Sequence, residues 1–189
     1  MINKLTLKEI SSVARIHKEE LSGFLPELGE EFLQAFYKNS LNIPEMFTFI
    51  DCENDHICGF ATGIISPKGL YKKIIIQNKI LFIILILRHL ITHPFQIVKM
   101  VKILTYPGFS DDIPELLTIA IPKSEQGRGR GKKLFKQIAN NFQKKGINKF
   151  RISVYDRLPS NGFYKRIGCK LENSFEFLDE KMNYYSYNI

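Results

Sequence analysis

Cysteine is scarce in this chain. The three present, Cys52, Cys58 and Cys169, leave an odd one over and have spacings that suit neither a zinc site nor a small disulfide framework. Reduced thiols in a cytoplasmic setting are therefore the expectation. A long apolar run is also missing: Ile80–Leu87 is bounded by Lys79 and Arg88, far short of the roughly 20 residues a membrane span needs. It reads as a buried or interfacial helix, and the basic flanks Lys72, Lys73, Lys99 and Lys102 leave peripheral membrane contact open. Met1–Leu7 has no signal-like apolar core, and no internal repeat or low-complexity tract occurs. Ser/His/Asp and Cys/His nucleophile signatures are absent, and His56, His89 and His93 lack neighbours that suggest a metal site. Acidic residues are the minority charge, 19 against 27 basic, and the net +8 favours anionic ligands.

What is present is enough for a folded domain. A chain of 189 residues with 44% hydrophobic content supports one domain with a sizeable core rather than a disordered segment. Its most informative stretch is Glu115–Phe142. Glu115–Ile121 is an apolar run closed by Pro122, which predicts a buried strand. Leu134, Phe135, Ile138, Ala139 and Phe142 recur at helical spacing, with lysines on the opposite face. Between strand and helix lies Gln126-Gly127-Arg128-Gly129-Arg130-Gly131. Glycine at alternate positions lets the backbone approach a ligand, and the amides that open the next helix have no intrahelical partner. Strand, glycine turn and helix N-terminus together predict an anion site, most naturally for phosphate.

The alternatives are a solvated basic turn or an Arg-Gly segment gripping RNA. Such RNA tracts are repetitive, whereas this one is single and wedged between two patterned elements. A Walker A loop would need Ser or Thr where Leu134 stands, and a dinucleotide fingerprint would need Gly in place of Lys132. The pattern that fits is Gln-x-x-Gly-x-Gly, and with it the chain resembles the GCN5-related N-acetyltransferase (GNAT) superfamily. Ser160–Cys169, SNGFYKRIGC, is similar to the same family's late Phe-Tyr-x-x-x-Gly-Phe segment. The order and separation of the two motifs match as well. Ser22–Phe36, SGFLPELGEEFLQAF, resembles a subgroup associated with surface-sugar and polysaccharide pathways.

The resemblance implies acetyl-CoA as cofactor and direct attack of an amine on its thioester. It implies that backbone near Ile119, Ala120 and Ile121 holds the pantetheine. The pyrophosphate would lie on Gln126, Gly127, Arg128, Gly129, Arg130, Gly131 and Lys132, and Asn161 would also contact the cofactor. Tyr164 aligns with the family tyrosine that protonates the departing thiolate. Glu115 matches a position that often carries the base, with Glu27, Glu30 and His17 as weaker candidates. Arg157 and Cys169 depart from the family pattern, standing where Asn and Phe are usual. The implied acceptor is a small-molecule amine, an amino sugar or sugar nucleotide. A protein or peptide acceptor, or a non-catalytic acyl-CoA-binding module, are the alternatives; nucleic acid is not an expected partner.

The remaining pattern predicts an α+β fold: a mixed, mainly antiparallel sheet with one parallel strand–helix–strand junction. Ile2–Leu7 is an expected strand, with Thr6 capping the helix that follows. A second helix is expected around Glu30–Lys38. Met46–Ile50 and Ile57–Ile65 form a hairpin about Glu53-Asn54-Asp55. Residues 66–114 are a helical insertion of two helices, Tyr71–His89 and Phe95–Leu104, joined near His93-Pro94, followed by a loop Tyr106–Pro114. Its apolarity predicts burial, as a lid or as a homodimer interface. Lys149–Tyr155 runs parallel to Glu115–Ile121, a short helix spans Ser160–Arg166, and Lys170–Leu178 pairs with Met182–Tyr187 about Asp179-Glu180-Lys181.

Overall fold

The computed structural model describes residues 1–98, 101, 112–177 and 179–189. Among these, seven strands form one sheet: β1 Ile2–Lys4, β2 Met46–Glu53, β3 His56–Ile64, β4 Glu115–Ala120, β5 Lys149–Tyr155, β6 Lys170–Phe177 and β7 Glu180–Asn188. Their spatial order is β1-β2-β3-β4-β5-β7-β6. Every adjacent pair is antiparallel except β4–β5, so the fold is the mixed α+β arrangement expected.

The central strands are buried on both faces, because each alternates between two apolar layers. In β2, Met46 and Ile50 join the layer under helices α1 (Ile10–Glu20) and α3 (Glu30–Ser40), while Phe47 and Phe49 join the opposite layer. That second layer is capped by α6 (Arg130–Lys144), whose Leu134, Phe135, Ile138, Ala139 and Phe142 are all buried. Phe142 is fully enclosed, its ring 5.1 Å from Phe47 and 4.8 Å from Phe150. Truncating such a ring to alanine costs roughly 3–5 kcal/mol.

Local signals act as expected at several ends. Thr6 forms a capping box with Glu9, whose carboxylate accepts from the Thr6 amide at 3.0 Å, but the strand before it ends at Lys4 and Leu7 already lies in a 3-10 turn. Asn54 and Asp55 both adopt positive φ, which turns the β2–β3 hairpin tightly in the sense its twist favours. The last hairpin turns earlier than expected: Glu180 and Lys181 are already paired with Phe177 and Glu176, and Asp179 takes the positive φ.

The insertion differs more. The predicted helix Tyr71–His89 is two helices, α4 (Leu70–Gln77) and α5 (Lys79–Thr92), bent by 106° at Asn78. Asparagine is a weak helix former, and here its own amide closes back onto Ile75 while its carbonyl opens α5. Leu70, Ile74 and Phe82 are buried, Phe82 edge-on to Phe32 at 5.2 Å. Ile75, Leu85 and Ile86 pack half-buried against the core, but the predicted burial fails for Ile80, Ile83, Ile84, Leu87 and Ile91, which are exposed. Most of the predicted helix Phe95–Leu104 and loop Tyr106–Pro114 lies outside the described residues.

Candidate active site

Strands β4 and β5 pair only at Glu115–Arg151 and Leu116–Ile152 and then part. Beyond that point the edge of β4 faces a cleft of about 940 Å³, walled by Leu117–Ile121 on one side and Ser153–Tyr155 on the other. The glycine turn closes one end. A smaller chamber of about 180 Å³ continues from it, sharing His17, Tyr71, Thr118, Ser153 and Tyr155.

The turn is built as an anion cradle. Gln126 Nε2 donates to the carbonyl of Ile121 at 2.9 Å and pins the loop to the strand end. Gly127 and Gly129 have φ of 76° and 75°, left-handed values that cost a non-glycine residue roughly 1–2 kcal/mol. A Cβ on either would meet nothing within 4 Å, so the space beside them is open to a ligand. Gly129 is the N-cap of α6 and brings no capping side chain. The amides of Arg130, Gly131 and Lys132 thus lack intrahelical partners at the positive end of a 15-residue helix. Gly131 carries no such constraint: a Cβ there would only touch the Phe163 ring at 3.4 Å.

Arg130 corrects an expectation. Its guanidinium faces away from the cradle into carboxylates, Nε to Glu125 at 2.8 Å, Nη1 to Asp51 at 3.1 Å and Nη2 to Glu53. Lys133 adds a contact to Asp51 at 3.0 Å. Burial disfavours the ionised form of Asp51, but hydrogen bonds from Lys133 and Arg130 outweigh it and hold the carboxyl below the usual range. Glu53, Cys58 and Glu125 approach as closely as metal ligands would, with Arg130 supplying countercharge to both carboxylates. Arg128 also leans on Glu125, at 3.2 Å. Of the positive side chains expected on the ligand, Arg130 is therefore committed to the loop's own scaffold. Backbone amides, exposed Lys132 and Arg128, whose surface bridge exchanges readily, remain for it.

Asn161 is a second correction. Its amide nitrogen donates to the carbonyls of Tyr155, Asp156 and Leu158, and its oxygen accepts from Asn183 and Tyr185. With both ends spent, it pins the β5–α7 turn instead of meeting a cofactor; α7 is Ser160–Arg166.

Tyr164, on α7, is 5% exposed and reaches the cleft wall. Its hydroxyl makes no hydrogen bond among the described residues, and burial raises its pKa, so the phenol stays protonated. Glu115 is not a free base on the large cleft. It lies in the wall of the small chamber, 3.0 Å from Arg151 Nη2, and accepts a 2.6 Å hydrogen bond from Ser153 Oγ. Ser153 lines both chambers and so links Glu115 to the large cleft.

His17 is buried, with Nδ1 2.6 Å from the Tyr37 hydroxyl and its ring stacked on Phe60. Burial pushes its pKa down to about 4, which leaves it neutral near pH 7. Glu30 accepts from Gln34 on its own helix, and Glu27 belongs to neither chamber wall.

Sequence reasoning missed three wall residues, Ser153, Tyr155 and Tyr71, and one glycine behind the wall. Ser153 and Tyr155 sit at alternate positions of β5, the one signal that would have found them. Tyr71 comes from the insertion and had none. Gly59 in β3 is required by contact: a Cβ there would fall 2.4 Å from Ile121 Cδ1 and 2.9 Å from the Ala120 carbonyl, displacing β4 from the cleft.

The sequence profile of the acetyltransferase (GNAT) family matches residues 12–169. No curated protein matches the chain. Similar solved structures include a GNAT-family protein from Desulfovibrio desulfuricans, 15% identical, with 100% of this chain and 98% of that one covered at a TM-score of 0.67. The PaiA N-acetyltransferase of Thermoplasma acidophilum, solved with coenzyme A, is 16% identical over 99% and 98% of the two chains, TM-score 0.61. The ribosomal-protein-S18-alanine N-acetyltransferase of Escherichia coli is 13% identical over 100% and 93%, TM-score 0.62. At these identities the likeness is one of fold.

Proposed function

The chain belongs to the GNAT acetyltransferase family and uses acetyl-CoA, and on that premise we propose that it acetylates a primary amine of a small molecule, an amino sugar or sugar nucleotide. The observation that carries this reading is the parting of β4 from β5 beside an uncapped helix N-terminus. The residues fit the cofactor: a glycine cradle with open amides suits the diphosphate, and the free edge of β4 suits the amide-bearing pantetheine arm. Bound there, acetyl-CoA supplies an activated acyl thioester.

The rest is the chain's own work. Amides along Ile119–Ile121 line the cleft as donors for developing negative charge. Tyr164 holds a proton on its hydroxyl at the apolar wall. Burial keeps this phenol protonated, so it would have a proton to give to a departing thiolate. On the acceptor side, the amine proton passes to Ser153 Oγ, which in turn donates to Glu115. Arg151 orients that carboxylate, donating to it at 3.0 Å.

The acceptor class rests on the small chamber, whose walls include the aromatic rings of Tyr71, Tyr155, Phe175 and Tyr184. Flat rings at such a wall suit the apolar faces of a sugar, and the polar Ser153–Glu115 pair suits its amine. A peptide acceptor would favour an open groove.

The test is turnover. Purified protein with acetyl-CoA should release free coenzyme A thiol with amino sugars or their nucleotides, and acetyl-CoA should raise the thermal midpoint. Thiol release with peptides alone would replace the acceptor class. Silence with every amine, despite stabilisation by acetyl-CoA, would leave a binding module.

A further inference from the structure

Helix α5 carries an exposed stripe that the fold does not use. Ile80, Ile83, Ile84, Leu87 and Ile91 follow helical spacing along one side, and they are 52–82% exposed. Phe82, on the opposite side, is buried against Phe32, so the orientation of the helix is set by packing. The stripe continues in Ile76 at the end of α4 and in Phe95 beyond α5, which is 94% exposed. Apolar patches of this extent mark a surface meant for something other than water.

Charge indicates what that is. From His56 to Ser110 the sequence contains seven lysines and arginines and not one aspartate or glutamate. The whole chain carries 27 basic and 19 acidic residues, net +8. Seven of those eight charges therefore lie in this segment, and the remainder of the protein is within one charge of neutral. Lys79, next to Ile80, and Lys72, one helical turn before Ile76 on α4, are both exposed. Lys73 and Arg88 pair with Glu45 and Glu31 through solvent-exposed bridges, which are weak and readily exchanged.

We propose that α5 is a docking surface for an anionic lipid bilayer, lying in the plane of the interface with its aliphatic stripe inserted and Lys79, with Lys72 of α4, on the headgroups. A second copy of the chain fits less well, since it would bring the same cationic flanks together. A crossing fits less well too: 14 helical residues extend about 21 Å, short of a hydrocarbon core of about 30 Å, and α4 turns away by 106°.

The test is co-sedimentation of the full chain with vesicles of phosphatidylcholine alone or with a quarter phosphatidylglycerol. We expect at least about tenfold more protein on the anionic vesicles, with binding weakened by high salt. The double variant Ile84→Glu/Leu87→Glu should lose that binding while keeping its thermal stabilisation by acetyl-CoA. Lys72→Glu/Lys79→Glu should abolish the preference for anionic lipid. Equal, weak retention of wild type on both vesicles would overturn the proposal. So would a wild-type dimer in sedimentation velocity that Ile84→Glu/Leu87→Glu converts to monomer without any vesicle binding, for then the stripe belongs to a second copy.

Discussion

Arg130 Nη1 donates to Asp51 Oδ2 at 3.1 Å, joining the first residue of α6 to a strand 79 positions earlier. The contact sits at the register shift between Asp51 and Cys52, where β3 carries the extra residue, Cys58, and a buried carboxylate meets the base of the glycine turn. The cradle is thus held from behind. Asp51→Ala should lower the thermal midpoint by about 5 °C and weaken coenzyme A binding together, because Arg130 and Lys133 lose a shared anchor. Calorimetry with coenzyme A checks it; unchanged affinity would show that the loop keeps its shape unaided.

Gly129→Glu should weaken coenzyme A binding at least about a hundredfold while the fold persists. It combines a strained left-handed backbone with a carboxylate placed where the diphosphate must lie. Gly129→Ala, with the strain but not the charge, should lose much less. Titration calorimetry of the two separates the effects, and equal losses would argue against an anion at this turn.

Tyr164→Phe should leave coenzyme A affinity within about twofold and depress kcat by roughly a hundredfold or more. The ring packs beside Tyr185 and Phe163, and phenylalanine preserves that packing. Normal turnover in this variant would remove the proton-donor assignment.

Ser153→Ala should lower kcat while sparing the affinity for acetyl-CoA, since it breaks the bridge from the large cleft to Glu115 without uncovering a charge. Glu115→Ala should be worse in a different way. It leaves Arg151 buried and unpaired, a loss of roughly 3–5 kcal/mol in stability. Steady-state kinetics beside chemical denaturation distinguishes the two. A Ser153→Ala enzyme with wild-type kcat would rule out the relay.

His17 gives a pH dependence with a definite sign. Its pKa falls from 6.5 in the open chain to about 4 when buried, so between those values the unfolded state binds the extra proton. Stability therefore falls as pH is lowered from about 6.5 to about 4, by up to roughly 3 kcal/mol. The contribution is fully present above 6.5. Denaturant melts across this window should show the slope in wild type and a flatter one in His17→Gln, and identical slopes would exclude His17 as the cause.

The local grammar of the chain was legible in advance. Glu115–Pro122, the alternate glycines and the five apolar residues of α6 are short-range patterns, and periodicity plus glycine's conformational freedom suffice to place a strand, a turn and a helix in order. Family resemblance then named the cofactor. Which charges the loop would spend on itself was not legible: Arg130 looked available because Asp51, Glu53 and Glu125 are brought to it only by sheet pairing across many residues. Asn161 misled for the same reason, since Asn183 and Tyr185 arrive from β7. Glu115 was found by position, but its pairing with Arg151 depends on the register of the single parallel junction. The insertion shows the limit most clearly. Its sequence announced a hydrophobic helix, but hydrophobicity states only that a face wants cover. Whether the fold supplies that cover is decided by three-dimensional packing, and around α5 it covers Phe82 and leaves Ile80, Ile83, Ile84 and Ile91 outside.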